Sequence, residues 1–320
     1  MAKEKGKEVT LEDLPGVGAA TAEKLKEAGY DSLLSIAVAS AAEMVEITGL
    51  NDIAARKLIK AARDELKMGF ESGVDLLKKR ENLIRISTGS KALDGLFAGG
   101  VESSGITECY GQYGVGKSAL AHQLAVNVQL PRDKGGAEGI AVWIDSEATF
   151  RPERVKQIAE AQGMDSQQVL ENIKVARAFN SDHQILLAEK VTDLIKEGMQ
   201  VKLVVVDSLM GHLRSDFIGR GQLADRQQKL NKHIHSLLRL ATTYNVVVYV
   251  TNQVMTKPDT FFGDPTEPIG GNVLAHGMTT RVYLRKGKKG TRVAKMVDSP
   301  FIPENECVFI ISDKGIRDVE

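Results

Sequence analysis

Residues 111–118 read G-Q-Y-G-V-G-K-S, and this stretch constrains the fold more than any other part of the chain. It fits the spacing G-x-x-x-x-G-K-[ST], which binds phosphate when a strand ends at the first glycine and a helix begins at the lysine. The apolar-leaning residues 106–110 predict that strand, and residues 119–128 predict the helix. The alternative is a glycine-rich turn that binds nothing. The motif therefore predicts an α/β fold built around a phosphate-binding loop.

The loop has a defined chemistry. Its glycines let the backbone turn its N–H groups toward the β-phosphate, and the positive end of the helix adds to the same field. Lys117 places a charge on the β- and γ-phosphate oxygens, and the hydroxyl of Ser118 is positioned to ligate Mg²⁺. The predicted nucleotide-binding residues are Gly111, Gln112, Tyr113, Gly114, Val115, Gly116, Lys117, Ser118 and Ala119.

Strands and helices alternate after the loop, which predicts a mostly parallel sheet covered by helices. The predicted strands span 140–145, 173–178, 201–207 and 246–251, and the predicted helices span 152–162, 183–197 and 222–243. The last part of the chain changes character. Residues 280–285, 292–297 and 308–312 predict an antiparallel meander with a basic hairpin tip.

Polar residues follow three of the predicted strands. Asp207 ends the run K-L-V-V-V-D-S, a Walker B pattern in a chain that has a phosphate-binding loop, and we expect it to hold Mg²⁺. Glu147 follows the strand at 140–145 and is predicted to be the general base or to position the attacking water, the alternative being a surface acid. The amide of Gln253 could contact both the γ-phosphate and the loop that follows, so Lys117, Glu147 and Gln253 are the predicted catalytic residues.

Two long segments after strand ends suit single-stranded nucleic acid, because arginines neutralise phosphates and apolar side chains wedge between bases. These are residues 210–222 and residues 254–272, and the alternative for each is a flexible connector. The candidate side chains are Arg214, Arg220, Arg226, Phe261 and Phe262.

The N-terminal part is different. Residues 1–9 are expected to form a disordered tail, and residues 10–66 contain two turn-and-helix units, L-P-G-V-G before 21–29 and I-T-G-L before 53–66. Such pairs resemble helix-hairpin-helix modules, whose backbone N–H groups contact DNA phosphates. A small helical interaction domain is the alternative. Residues 67–80 are predicted to be a linker in which Phe70 either needs a pocket elsewhere or packs on its own domain.

The charge of the chain is balanced, with 42 basic and 42 acidic residues. DNA binding by bulk charge is therefore not supported, and any nucleic-acid contact must come from local loops. Two distant cysteines do not make a zinc motif and are expected to be buried thiols. No apolar run reaches the length of a membrane span, and the first eight residues lack the apolar region of a signal peptide. We expect a cytoplasmic, nucleoid-associated protein with no membrane partner.

From Leu14 to Asp318 the chain resembles the RadA/Rad51 recombinases of the RecA superfamily, and archaeal RadA most closely. The motifs that carry the resemblance include G-Q-Y-G-V-G-K-S, F-R-P-E-R, V-A-R-A-F-N-S, L-V-V-V-D-S, G-R-G, V-T-N-Q-V, F-F-G-D-P, P-I-G-G-N, Y-L-R-K-G-K and D-S-P-F-I-P. The resemblance implies a RecA-like P-loop ATPase core with a mixed, mostly parallel sheet over 81–320. It also implies a small all-α helix-hairpin-helix domain that binds DNA over 10–66, and a polymerisation motif in the linker 67–80.

The resemblance also implies residue roles. Lys117, Ser118 and Asp207 would bind ATP and Mg²⁺, Glu147 would activate water, and Gln253 would sense the γ-phosphate. The nucleotide would also be contacted by Arg154, Asp298, Pro303 and His276, in part from a neighbouring subunit. K⁺ would be an additional ion at that site. Phe70 would enter a pocket on the next subunit. DNA would be contacted by Arg220, Arg226 and the segment 255–272, which includes Gly271 and Asn272.

The activity that the resemblance implies is a DNA-dependent ATPase that forms rings or filaments, binds single- and double-stranded DNA, works with recombination mediators and exchanges homologous strands. A recombinase paralogue without strand exchange is one alternative, and a P-loop helicase or ring motor is another. The usual phosphate-loop pattern of the family is G-E-F-G-S-G-K-T, and the chain departs from it at Gln112, Tyr113, Val115 and Ser118. Ala148 replaces the glycine of the usual D-T-E-G-T-F. Asn272 replaces a histidine that is commoner in archaeal members. We therefore expect any unusual property to lie in nucleotide handling.

Overall fold

A computed structural model describes residues 10–66, 68–256 and 266–319 of the chain. The chain divides into two compact units, one up to Glu81 and one from Asn82 onward. Each unit has its own hydrophobic core.

The described residues form the following elements. The helices are α1 (Ala19–Glu27), α2 (Leu33–Ala37), α3 (Ala41–Thr48), α4 (Asp52–Glu65), α5 (Gly73–Glu81), α6 (Lys91–Leu96), α7 (Lys117–Asn127), α8 (Pro152–Ala161), α9 (Ser166–Glu171), α10 (Ser181–Lys196), α11 (Gly211–Asp216), α12 (Leu223–Tyr244) and α13 (Gly271–Gly277). The strands are β1 (Arg85–Ile86), β2 (Val101–Glu102), β3 (Ile106–Tyr110), β4 (Ile140–Asp145), β5 (Ile173–Arg177), β6 (Val201–Asp207), β7 (Val247–Asn252), β8 (Val254–Thr256), β9 (Thr266–Pro268), β10 (Thr280–Lys286), β11 (Arg292–Asp298), β12 (Glu306–Ser312) and β13 (Gly315–Asp318).

The N-terminal unit is helical, and its helices begin and end on local signals. Ser40 and Asn51 cap α3 and α4 by accepting backbone N–H bonds from the first turn, and Gly49 ends α3 in the left-handed conformation. Leu25 and Met44 are fully buried in its core. The two predicted turn-and-helix units are therefore present, as Gly16 to α1 and as Gly49 to α4.

A nine-stranded sheet organises the described part of the second unit, in the order β13-β12-β11-β10-β3-β7-β6-β4-β5. The strands from β10 to β5 run parallel and β10 to β13 run antiparallel, so the sheet is mixed and mostly parallel. Apolar side chains pack on both faces, for example Trp143 on one and Ile144 on the other. This explains why β4, β6 and β7 are apolar at consecutive positions. The fold is that of a RecA-like α/β core.

The structure corrects several sequence-based expectations. The linker at 67–80 contains a helix, α5, although none of the residues of α5 is buried. The first presumed DNA loop contains α11, and the ends of the second form the short antiparallel pair β8 and β9. The final strand β13 was not predicted, because four residues with a glycine and two charged residues carry no strand pattern.

None of the helices in the described ranges is both long enough and apolar enough to cross a bilayer.

Candidate nucleotide-binding site

The parallel strands β3, β4, β6 and β7 end at one edge of the sheet, and this edge holds the site. The phosphate-binding loop follows β3 and leads directly into α7. A Cβ on Gly111 would lie 2.2 Å from the carbonyl oxygen of Leu284. Gly116 has φ +112°, and a Cβ there would lie 2.6 Å from the Cδ1 of Ile311. Both positions therefore require glycine, which agrees with the spacing of the motif.

Lys117 is held in place by the loop itself. Its Nζ donates to the carbonyl oxygens of Gly111 and Gln112 at 2.8 and 2.9 Å. Burial lowers the pKa of Lys117, and the nearby carboxylates of Asp207 and Glu147 oppose that shift. The ammonium group borders a cavity of about 460 Å³. An anion that enters this cavity would replace the two carbonyl oxygens as the partner of Lys117.

Asp207 lies at the floor of the cavity and is fixed by two hydroxyl groups. Thr149 Oγ1 donates to one carboxylate oxygen at 2.6 Å, and Thr251 Oγ1 donates to the other. Ser118 lines the same cavity as Asp207. A carboxylate and a hydroxyl are hard oxygen donors of the kind that Mg²⁺ prefers, so these residues could hold a magnesium ion, which would supply positive charge at the cavity.

Glu147 lies at the mouth of the cavity. Its Oε1 accepts a hydrogen bond from Ser208 Oγ at 2.5 Å and another from Gln253 Nε2 at 2.9 Å. These bonds join residues that follow β4, β6 and β7, so the predicted base and the predicted sensor are in direct contact. The next residue, Ala148, has φ +56°, a left-handed conformation that glycine adopts more easily. The alanine that replaces the usual glycine of the family pattern is therefore under backbone strain.

His122 is a part of the site that sequence reasoning missed. Its Nδ1 lies 2.6 Å from the carbonyl oxygen of Ser118, and its Nε2 accepts from the backbone N–H of Arg151 at 2.9 Å. This pair of contacts requires a neutral ring with the proton on Nδ1. Burial against Trp143 and Phe150 lowers the pKa of His122, which favours that form. His122 thus links the start of α7 to the loop before α8. The sequence did not indicate this role, because His122 lies among the apolar residues of a helix.

The residues expected at the adenine and at a neighbouring subunit are not gathered at this cavity. Arg154 donates to the carbonyl oxygens of Ser312 and Asp313, at 2.5 and 3.0 Å, beside the end of β12. Three others are exposed: Asp298, Pro303 and His276. None of these three borders the cavity formed by the described residues.

Of the predicted DNA-contacting residues, Arg214 lies near Glu147. Arg214, on α11, borders a second cavity of about 320 Å³ that Glu147 and Gln253 also line. Arg226 is half-buried on α12, and Arg220 lies in a short 3₁₀ turn (Arg220–Gln222). Gly271 and Asn272 are the first two residues of α13. Phe261 and Phe262 lie outside the described residues.

Phe70, in the predicted linker at 67–80, is fully exposed. Its ring is therefore available to a partner surface rather than packed into a core. The described contacts do not include an aromatic neighbour for it.

A family model described as Rad51 matches residues 79–319. The chain belongs to the Rad51 family. A second family model, described as a SAM-like helix-hairpin-helix tandem, matches residues 8–64. Membership of the Rad51 family supports a role in DNA recombination and repair, and the helix-hairpin-helix match supports DNA binding by the N-terminal unit. Family members typically use ATP and Mg²⁺, in agreement with the donor set at the cavity.

Proposed function

We propose that this Rad51-family protein is an ATP-dependent DNA recombinase that forms filaments on single-stranded DNA and catalyses homologous pairing and strand exchange. The observation that carries the proposal is the contact between Glu147 and Gln253 at the mouth of the phosphate-loop cavity. Gln253 is the last residue before the β8–β9 segment, so a change at the γ-phosphate reaches a candidate DNA loop within one residue. A purely structural P-loop fold has no need for this contact.

The roles of the residues follow from their places. Lys117 would neutralise the β- and γ-phosphates, and Ser118 with Asp207 would hold Mg²⁺, whose contribution is to offset phosphate charge. Glu147 would accept a proton from, or orient, the attacking water. Gln253 would leave Glu147 to contact the γ-phosphate, which makes the amide a reporter of nucleotide state.

We propose that a second subunit completes the site. The exposed residues Asp298, Pro303 and His276 would reach the nucleotide of a neighbouring copy, with K⁺ as a further ion there, while Arg154 would stack on the adenine. Fully exposed Phe70 would anchor that neighbour by entering a pocket on its ATPase core. Residues 67–80 would then be the polymerisation linker between a DNA-binding domain at 10–66 and an ATPase core at 81–320.

The proposed nucleic-acid partners are single- and double-stranded DNA, held by the two segments near Glu147 and by the N-terminal unit. Arg214, Arg220 and Arg226 would contact phosphates, and Phe261, Phe262, Gly271 and Asn272 would belong to the second DNA segment. We further propose a cytoplasmic protein that acts at the nucleoid and works with recombination mediators. From its motifs, we also propose that the protein is a RadA of the archaeal type.

Replacement of Lys117 by alanine tests the proposal. We expect Lys117→Ala to lower ATP turnover at least about 100-fold, because it removes the charge that faces the phosphates, and to abolish ATP-dependent strand exchange. The matched control is Lys91→Ala, an exposed lysine away from the cavity, which should leave both activities unchanged. Strand exchange between labelled homologous DNAs measures the outcome, and undiminished exchange by Lys117→Ala would refute the assignment.

A mediator paralogue that binds ATP and DNA without exchanging strands is the second candidate. The altered phosphate loop favours it, since Gln112 removes a carboxylate that the family pattern places beside the phosphates. Electron microscopy with single-stranded DNA and a non-hydrolysable ATP analogue, followed by strand exchange with the unmodified protein alone, separates the two. Regular filaments with exchange support the recombinase, whereas binding without exchange supports the mediator.

A further inference from the structure

A buried polar cluster links β3, β7 and β10 directly behind the catalytic edge. Glu108 on β3 is fully buried, and its two carboxylate oxygens have different partners. One oxygen accepts from Asn252 Nδ2 at 2.9 Å, and the other accepts from Arg281 Nε at 2.8 Å. The guanidinium of Arg281 also lies over the ring of Tyr110, 5.4 Å from its centre.

Asn252 uses its amide group to hold both ends of the segment that follows it. Its Nδ2 donates to the carbonyl oxygen of Ile269 at 2.6 Å as well as to Glu108, and its Oδ1 accepts from the backbone N–H of Gln253 at 2.8 Å. Ile269 in turn donates its N–H to the carbonyl oxygen of Gln253 at 3.0 Å. Gln253 and Ile269 flank the segment that contains β8 and β9, so Asn252 closes its base.

Glu108 is one of three groups that fix the orientation of that amide, together with the carbonyl oxygen of Ile269 and the N–H of Gln253. An asparagine amide can be reversed at little cost, which exchanges its donor and acceptor ends. Reversal here would point an NH₂ group at the N–H of Gln253 and an oxygen at both Glu108 and the carbonyl oxygen of Ile269. The carboxylate of Glu108, which can only accept while it is ionised, excludes that arrangement. The side chains of Glu108, Asn252 and Arg281 are all buried. Because a buried ionic group is costly unless its hydrogen-bond partners are kept, the loss of any one of these contacts would be unfavourable.

We infer that Glu108 is a positioning residue that, through Asn252, fixes Gln253 and Ile269, and thereby couples DNA binding to ATP turnover. The inference rests on the proposed function. Among the described residues, Glu108 borders neither the cavity nor a candidate DNA side chain, so its role is transmitted by the amide of Asn252. A second contact supports the same path, since Thr266 Oγ1 lies 3.2 Å from the hydroxyl of Tyr283 on β10, whose ring packs 5.3 Å from that of Tyr110.

The test compares basal ATP turnover with turnover in the presence of single-stranded DNA, using the full chain. Asn252→Asp keeps the size of the side chain and the acceptor for Gln253, but it loses both donated hydrogen bonds. We expect stimulation by DNA, measured as the ratio of turnover with DNA to basal turnover, to fall by about fivefold or more, whatever the change in basal turnover. The control is Val250→Ala, a fully buried position on the same strand whose side chain packs in the apolar core. It should be destabilised in thermal unfolding yet keep its stimulation.

Glu108→Gln provides the second variant if Asn252→Asp does not fold. The amide of glutamine cannot accept from both Asn252 and Arg281, so stimulation should again fall while ATP affinity is retained. The inference is overturned if either folded variant keeps full stimulation, or if Val250→Ala loses as much stimulation as they do. Failure of the unmodified protein to respond to DNA would instead overturn the proposed function, so the two failures are distinguishable.

Discussion

Individual residues at this site are held by fixed partners within the protein. Lys117 is bonded to its own loop, Asp207 to two threonines, and Glu147 to Ser208 and Gln253. Such preorganisation reduces the rearrangement needed when charge develops in a transition state. Two side chains would change partners: an anion would replace the carbonyl oxygens bonded to Lys117, and the exposed side chain of Gln253 has the freedom to exchange Glu147 for a phosphate.

His233 gives a pH-dependent stability at the residue scale. It is fully buried on α12 beside Gln184, and burial lowers its pKa from 6.5 to about 4. The neutral ring therefore contributes stability that is fully present above pH 6.5 and is lost as the pH falls toward 4. The unmodified protein should lose unfolding free energy through His233 when the pH falls from 7 to 5. We expect the loss over this range to be about 2 kcal/mol smaller in His233→Gln.

The control for this prediction is His235→Gln, an exposed histidine on the same helix, which should follow the unmodified protein. Urea denaturation at the two pH values measures both variants. Identical pH dependence for His233→Gln and the unmodified protein would show that His233 does not remain neutral in the folded state.

At the scale of elements, the strand that ends the described chain holds a helix in place. Asp318 on β13 accepts from Ser90 Oγ at 2.5 Å and from the backbone N–H groups of Lys91 and Ala92, at 3.0 and 2.9 Å. These bonds satisfy the first turn of α6, and the hydrogen bond from Ser90 is the largest cause that holds the pKa of Asp318 below its ordinary value. The carboxylate therefore stabilises the fold above its unfolded pKa, and this contribution is lost in acid.

We expect Asp318→Ala to lower the unfolding free energy by about 1–2 kcal/mol at pH 7, the usual cost of losing a helix cap. Asp313→Ala, at the exposed turn between β12 and β13, keeps the backbone carbonyl that Arg154 uses and should have little effect. Chemical denaturation of the two variants side by side checks the expectation. Equal losses would mean that the whole β12–β13 region, and not this carboxylate, sets the stability.

The long elements could be predicted from the sequence because each carries a clear pattern, an unbroken apolar run in the strands buried on both faces and a helical period in α12. Strands 140–145 and 201–207 match β4 and β6 residue for residue, and the helix predicted at 222–243 is α12 within one residue at each end. Short elements such as α11, β8 and β9 carry too few residues to show a period, and their pairing depends on neighbours distant in the chain. At the site, the P-loop and Walker B motifs indicated Lys117, Ser118 and Asp207, whereas His122 and Glu108 act through tertiary contacts that no local pattern records.

At the scale of the whole molecule, two cores of unequal size stabilise two units. The N-terminal unit is small, and small units bury a smaller share of their surface and are correspondingly less stable. Leu25 is fully buried in its core. We expect Leu25→Ala to cost this unit about 2–5 kcal/mol and to lower its thermal transition, while the transition of the second unit is unchanged.

Scanning calorimetry with and without an ATP analogue and Mg²⁺ checks this prediction, because a ligand raises only the transition of the unit that binds it. The upper transition should shift with the analogue in both proteins, and the lower one should move only with Leu25→Ala. A single transition that responds to both changes would contradict the independence of the two cores.

The strained alanine beside Glu147 has a consequence for how turnover could change over evolutionary time. A left-handed alanine costs about 1–2 kcal/mol, and glycine would release that energy at the peptide that carries the reactive carboxylate. Larger side chains would keep the cost and add bulk at the mouth of the cavity. Under the proposed function, position 148 would thus be a place where one substitution adjusts the hydrolysis rate without changing any side chain that lines the cavity.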